Sequence, residues 1–252
     1  MSSEGFRGKE KQYDLSFVSI YRIFLLFFIP FVAYSLSALP SIVTFIIFLR
    51  VINFSNPIHV LLIPFVVMFE FLLFNFEAVA INGLFLKALN LKPKEGEYPI
   101  SLKNKTFFKI SVFYVLYRPV LKLLAILNMQ PLRKRFLRFG GLKIGDSTIV
   151  PGSETVTDPY VTEIGEQTLL GGYCYLSAHL IDNDKLILKK IKIGDNCLIG
   201  SFTLILPGVV IKDNVSLGAY SLVTKNKILK KGKSYGGIPA KIIKKSTKKK
   251  KK

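Results

Sequence analysis

Residues 187–223 read ILKKIKIGDNCLIGSFTLILPGVVIKDNVSLGAYSLV, and in them an aliphatic side chain returns at every sixth position: Ile187, Ile193, Ile199, Ile205, Ile211, Leu217 and Val223. Gly follows the aliphatic residue at 194, 200 and 218, and the fifth position of most hexads is small: Cys197, Thr203, Val209, Val215 and Ser221. A period of six belongs neither to a helix nor to a strand that alternates every second residue. It predicts a left-handed parallel β-helix, in which each hexad is one short strand plus one corner. Three hexads close a triangular coil, stacked on the next at a strand spacing of about 4.8 Å. The aliphatic residue fills the prism, the fifth residue points inward near a corner where a large side chain would clash, and Gly and Asn-Gly-like residues turn the corners by accepting strained or left-handed backbone angles. This fold is the known exception to right-handed crossovers.

The pattern extends towards the N-terminus. A first coil reads Ile144, Val150, Val156, followed by a two-residue slip at Asp158-Pro159, and a second reads Ile164, Leu170, Leu176. Between Leu176 and Ile187 the register breaks, so a loop leaves the prism there. About four coils are expected in a β-helix domain at 142–243, with open ends unless another element covers them.

Charge and hydropathy are segregated along the rest of the chain. Of 252 residues 50% are hydrophobic, the formal charge is +20, and only six of the 36 basic residues precede residue 91 (Arg7, Lys9, Lys11, Arg22, Arg50, Lys87). A polar tail, 1–16, leads into an apolar zone, 17–90. Runs at 17–36 and 57–89 are each long enough to cross a bilayer, and 42–54 between them extends the first helix, lies in the interface or makes a third span. Ser35-Leu36-Ser37 is a small-x-small cleavage pattern, but apolar sequence continues past it, which argues against a signal peptide. A transmembrane helical hairpin is therefore expected, in a multi-pass protein of the cell membrane. The basic residues beyond the spans place the C-terminal domain in the cytoplasm. Arg22, Arg50, Glu70 and Glu77 fall inside the apolar zone and are expected to snorkel or pair with one another. Residues 91–141 interleave Lys and Arg with Phe, Tyr and Leu, the composition of amphipathic helices on an anionic leaflet. Membrane lipids are the expected partner there, in preference to nucleic acid. The Lys-rich tail, 244–252, is solvated or drawn to the same lipids. Cys174 and Cys197 both occupy the small fifth position, so they are expected as reduced core residues.

His179 stands in the break of the repeat, and the other histidine, His59, borders the membrane. A lone histidine is more often structural. Its place at an interruption, with Asp182 and Asp184 just after it, makes His179 a candidate general base. A zinc enzyme of the γ-carbonic-anhydrase type would need several histidines in this domain, so no metal site is expected.

The pieces Ser177-Ala178-His179-Leu180-Ile181-Asp182, Ile193-Gly194-Asp195-Asn196, Leu206-Pro207-Gly208-Val209, Ser221-Leu222-Val223-Thr224-Lys225 and Gly237-Ile238-Pro239-Ala240-Lys241 resemble hexapeptide-repeat acyltransferases. The order of pieces is that of the maltose and galactoside O-acetyltransferases. With the apolar helices and the Lys92-Pro93-Lys94-Glu95-Gly96-Glu97-Tyr98-Pro99 junction included, the chain also resembles the membrane-embedded C-terminal modules of poly-lysine-synthetase-like peptide synthetases. The resemblance implies attack of an amine or hydroxyl on a thioester. His179 would be the general base, and Asp182, Asp184 or Glu163 of a neighbouring copy would hold its imidazole. The donor groove would be lined by Gly200, Gly218, Ala219, Ser221, Lys225, Gly237, Pro239, Ala240 and Lys241. Backbone amides at Gly171-Gly172 or Gly200 would face the oxyanion. No cofactor is bound permanently; acyl-coenzyme A, or a carrier-protein thioester supplied in trans, is the co-substrate. A homotrimer is expected, since the groove lies between two β-helices. The alternatives are a sugar O-acetyltransferase and a membrane-anchored scaffold without catalysis.

Overall fold

The computed structural model describes residues 17–243; the polar and Lys-rich tails lie outside the described residues. Two long apolar helices come first, α1 (Phe17–Val51) and α2 (Pro57–Ala88). α1 runs without interruption through Pro30 and Pro40, so the ambiguous segment 42–54 is mostly the end of the first helix and not a separate element. Asn56 caps α2 by accepting from the Ile58 N–H, and Pro57 sits at the first helical position, where its missing N–H costs nothing. At 1.5 Å per residue each helix is roughly 50 Å long, more than a hydrocarbon core of about 30 Å.

The carboxylates in this zone are held by hydroxyls of α1 and not by arginines, which corrects the expectation of pairing. Ser41 Oγ donates to Glu77 (2.8 Å) and Thr44 Oγ1 to Glu70 (2.7 Å). Arg22 reaches out of the helix to the Leu102 carbonyl and lies over the Phe108 ring.

From Lys143 onwards the chain winds a three-faced parallel β-helix. One face stacks Lys143–Ile144, Thr162–Ile164, Ile191–Ile193, Val210–Ile211 and Ile228–Leu229. A second stacks Leu169–Leu170, Leu198–Ile199, Ser216–Leu217 and Ser234–Gly236. The third stacks Thr155–Val156, Tyr175–Leu176, Leu204–Ile205 and Leu222–Val223. Ile199, Ile205, Leu170, Leu176 and Val223 are fully buried, as are the small fifth residues Cys174, Val209 and Val215. Burial pushes the Cys174 thiol up to about 12, so both its place and its chemistry are those of a core residue.

Three details differ from the sequence expectation. Ile187 is not a prism residue: the inward series resumes at Ile193, and beyond Val223 it continues through Leu229 and Tyr235 into a fifth, partial coil. The left-handed corner is the fourth hexad position, where Asn196, Asn214 and Asn226 but also Tyr173, Phe202 and Tyr220 have φ between 54° and 60°. Gly200 serves a different need. A Cβ there would stand 2.3 Å from the Ala219 backbone nitrogen of the next coil, so the glycine is required for close stacking.

Both ends of the prism are covered. Two helices, α3 (Lys105–Ile126) and α4 (Gln130–Phe139), lie over the first coil. Basic side chains of α4 donate to carbonyls that have no preceding coil to bond: Lys134 to Asp146 and Thr148, Arg138 to Ile144. Part of the basic segment expected on lipid thus caps the β-helix edge. At the far end Lys241–Ile242 folds back antiparallel on Ser234–Gly236, and the Tyr235 hydroxyl, inside the last coil, accepts the Lys230 N–H (2.8 Å).

Candidate active site

The break after Leu176 is a two-stranded hairpin, His179–Asp182 with Lys185–Leu188, turned by Asn183 and Asp184 at positive φ. The strand Gly96–Pro99 from the junction before α3 adds a third, antiparallel strand, pairing Glu97 with Ile187 and Tyr98 with Leu186. Segment 91–141, expected as amphipathic helices, also contributes a strand. His179 is the first residue of the hairpin, partly exposed, and Ser177 Oγ bonds its carbonyl.

Its carboxylate is Asp158. His179 Nδ1 lies 2.7 Å from Asp158 Oδ2, which also accepts from the Ala178 N–H (3.1 Å) and Thr157 Oγ1 (2.5 Å). Tyr114 of α3 donates to Asp158 Oδ1 (2.7 Å) and stands 2.9 Å from His179 Nδ1, and Tyr160 donates to the same Oδ1 (3.0 Å). Asp158 is fully buried. Burial alone would raise its pKa, but the bond to His179, that residue's charge, and the bonds from Thr157 and Tyr114 outweigh it and hold the carboxyl below the ordinary range. Burial and the Asp158 charge push the Tyr114 hydroxyl well up, so it remains a neutral donor. An ionised Asp158 fixes the proton on Nδ1, which leaves Nε2 with the lone pair that a general base needs.

Asp182 and Asp184, expected at the imidazole, are elsewhere in this chain. Asp182 is at the far end of its strand, paired in register with Lys185, and its side chain faces Lys225 (3.7 Å). Asp184 is in the turn, and its carbonyl accepts the Ile100 N–H. Glu163 sits on the first face among Lys143, Lys190 and Lys192. Among the described residues no group of three or more His, Cys, Asp and Glu is arranged to hold a metal.

Most of the residues expected to line the donor groove follow one edge of the prism, while Lys225 stands at the next corner against Asp182. Gly200, Gly218 and Ala219 stack at one corner, with Ser221 Oγ bonded to the Gly218 carbonyl (2.6 Å). Gly237 accepts the Leu222 N–H, the Ile238-Pro239 peptide is cis, and Ala240 donates to the Leu222 carbonyl (2.7 Å). This closing segment therefore bonds Leu222, which lies on the same face as His179 and two coils further on, while Lys241 is exposed.

Asp158 and Tyr114 were missed by sequence reading, although a signal for Asp158 existed. The slip after Val156 and the break after Leu176 fall on the same face, and the register pairs Val156 with Leu176, which sets Asp158 beside Ala178.

Three comparisons bear on this architecture. None of the curated protein sequences compared matches the chain. Among solved structures it is similar to a hexapeptide-repeat acetyltransferase from Vibrio cholerae (20% identity, 54% of this chain and 92% of that one, TM-score 0.44). It is also similar to a maltose O-acetyltransferase from Clostridium difficile (24%, 52% and 86%, 0.40) and to a galactoside acetyltransferase in complex with coenzyme A (26%, 51% and 80%, 0.40). TM-scores this low transfer no site residue. The family model described as bacterial transferase hexapeptide (six repeats) matches residues 190–225, so that part of the β-helix is similar to the hexapeptide repeats of bacterial transferases.

Proposed function

We propose that this protein is a membrane-anchored acyltransferase that moves an acyl group from a thioester, acyl-coenzyme A or a carrier-bound equivalent, to an amine or hydroxyl. The observation that carries the reading is the His179–Asp158 pair, 2.7 Å apart at the break of the hexad repeat, on the N-terminal side of the segment 190–225 that matches the transferase hexapeptide model. Nε2 of His179 takes the proton of the attacking amine or hydroxyl. The new bond forms at the thioester carbonyl, the C–S bond breaks, and the thiol leaves with a proton returned through the imidazole. Asp158 and Tyr114 keep the ring in one tautomer and one orientation, Asp158 stabilising the imidazolium as it forms. The donor would lie along the edge from Gly200 and Gly218 to Gly237-Ile238-Pro239-Ala240-Lys241. Two helices with large apolar side chains exposed along their length supply the anchor, and the basic residues after them favour a cytoplasmic β-helix.

The test is His179→Asn. The residue begins a hairpin outside the prism, so the variant keeps its fold while transfer from acetyl-coenzyme A falls by about 10²–10⁴-fold, the usual worth of a general base. A folded variant at the wild-type rate refutes the role.

A further inference from the structure

We infer that the cleft between α3 and the first coil binds an anionic group of the acyl acceptor, a phosphate or carboxylate, and thereby aims its nucleophile at His179. The inference rests on the acyl-transfer reading and assigns it a substrate class. The cleft measures about 350 Å³, in the range of small-molecule sites. Arg118 and Lys122 line it from α3; Ser153, Thr155 and Thr157 line it from the coil, and Tyr173 closes one side.

Its charge is uncompensated. The acid in the cleft, Glu154, is fully buried and held by Arg133, whose guanidinium bonds Glu154 Oε1, the Glu154 carbonyl and the Leu121 carbonyl. With every arm engaged, Arg133 is a neutralised floor and not a ligand. Arg118 and Lys122 are exposed, and neither has a carboxylate within salt-bridge distance among the described residues. An anion entering here meets two cations and the hydroxyls of Ser153 and Thr155, Thr157 being bonded to Asp158.

The cleft is also joined to the imidazole. Tyr114, Arg118 and Lys122 are four residues apart in succession, so they share one face of α3. Tyr114 touches His179, and the Arg118 guanidinium lies 5.9 Å from the Tyr114 ring. From the other wall, Thr157 bonds Asp158. Tyr173 ends a ladder of near-parallel exposed rings, with Phe202 at 5.1 Å and then Tyr220 at 4.9 Å. At the cleft it offers a flat apolar surface to the body of the acceptor.

Inorganic phosphate is the probe, titrated calorimetrically into the full chain in neutral-detergent micelles at constant ionic strength. Saturable binding is expected, weakened roughly tenfold by Arg118→Gln and by Lys122→Gln, less by Arg118→Lys, and unchanged in His179→Asn. Both residues are exposed, and circular dichroism verifies that the variants remain folded. No saturable binding, or equal affinity in wild type and both Gln variants, overturns the site. Phosphatidylglycerol doped into the micelles separates the sources. Competition with phosphate assigns the site to a lipid headgroup and indifference to a soluble acceptor, and both results uphold an anion site. Phosphate binding in a protein that transfers no acyl group would remove the catalytic reading and leave the site standing.

Discussion

Arg133 and Glu154 show how one residue pair ties the helices to the β-helix. Glu154 occupies the fifth hexad position, where most other hexads carry Thr, Cys, Val or Ser, and both side chains are almost fully withdrawn from solvent. A buried pair adds little net stability over an apolar replacement, but removing one partner leaves a charge stranded. Arg133→Leu is therefore expected to destabilise the protein by about 3–5 kcal/mol in denaturant titration. A cost below about 1 kcal/mol would mean that Glu154 reaches water or another cation. Asp158 is under the same constraint: it is buried, accepts bonds from four neighbours besides His179 and tolerates its charge only because those donors converge on it.

At the scale of the elements, the hexad makes a sharp prediction. Thr203 is buried at a fifth position with its hydroxyl on the Gly218 carbonyl (3.3 Å), so Thr203→Trp forces a ring into a close-packed corner. Overpacking of this kind costs about 1–3 kcal/mol or more, visible as a lower melting temperature of the β-helix; unchanged melting would mean the register is wrong. The coils were legible in the sequence because one inward side chain per face imposes a period that nothing else in a protein produces. The site was legible only by half. His179 showed itself at the interruption, but its carboxylate comes from the coil beneath, and contacts between coils are set by stacking register and not by nearness along the chain. Asp182 was the natural expectation by proximity, yet a hairpin carries its far end away from its root. α4 misled for a related reason. Amphipathicity announces that a helix has a basic face without saying whether lipid or unpaired backbone carbonyls meet it, and here Lys134 and Arg138 meet carbonyls.

For the whole molecule, the proposed acyl transfer, with its donor along an outer edge of one prism, would need a second wall. The exposed rings of Tyr173, Phe202 and Tyr220 and the exposed Ile149, Leu198 and Ile228 leave apolar surface on the prism in a single chain. A closed cyclic trimer would cover such surface and place a second β-helix across each groove. Native mass spectrometry in mild detergent is expected to give three copies, and a strict monomer with full turnover would refute the shared groove. The account stands or falls, however, on which carboxylate serves His179. Transfer of labelled acetyl from acetyl-coenzyme A to the protein's acceptor in membranes, compared across Asp158→Asn and Asp182→Asn at equal folded amount, decides it. The geometry predicts that Asp158→Asn lowers the rate on the order of 10²-fold or more, because the asparagine no longer fixes the imidazole tautomer or stabilises its charge, while Asp182→Asn stays within a few-fold of wild type. The reverse order, or a wild-type rate in Asp158→Asn, would contradict it.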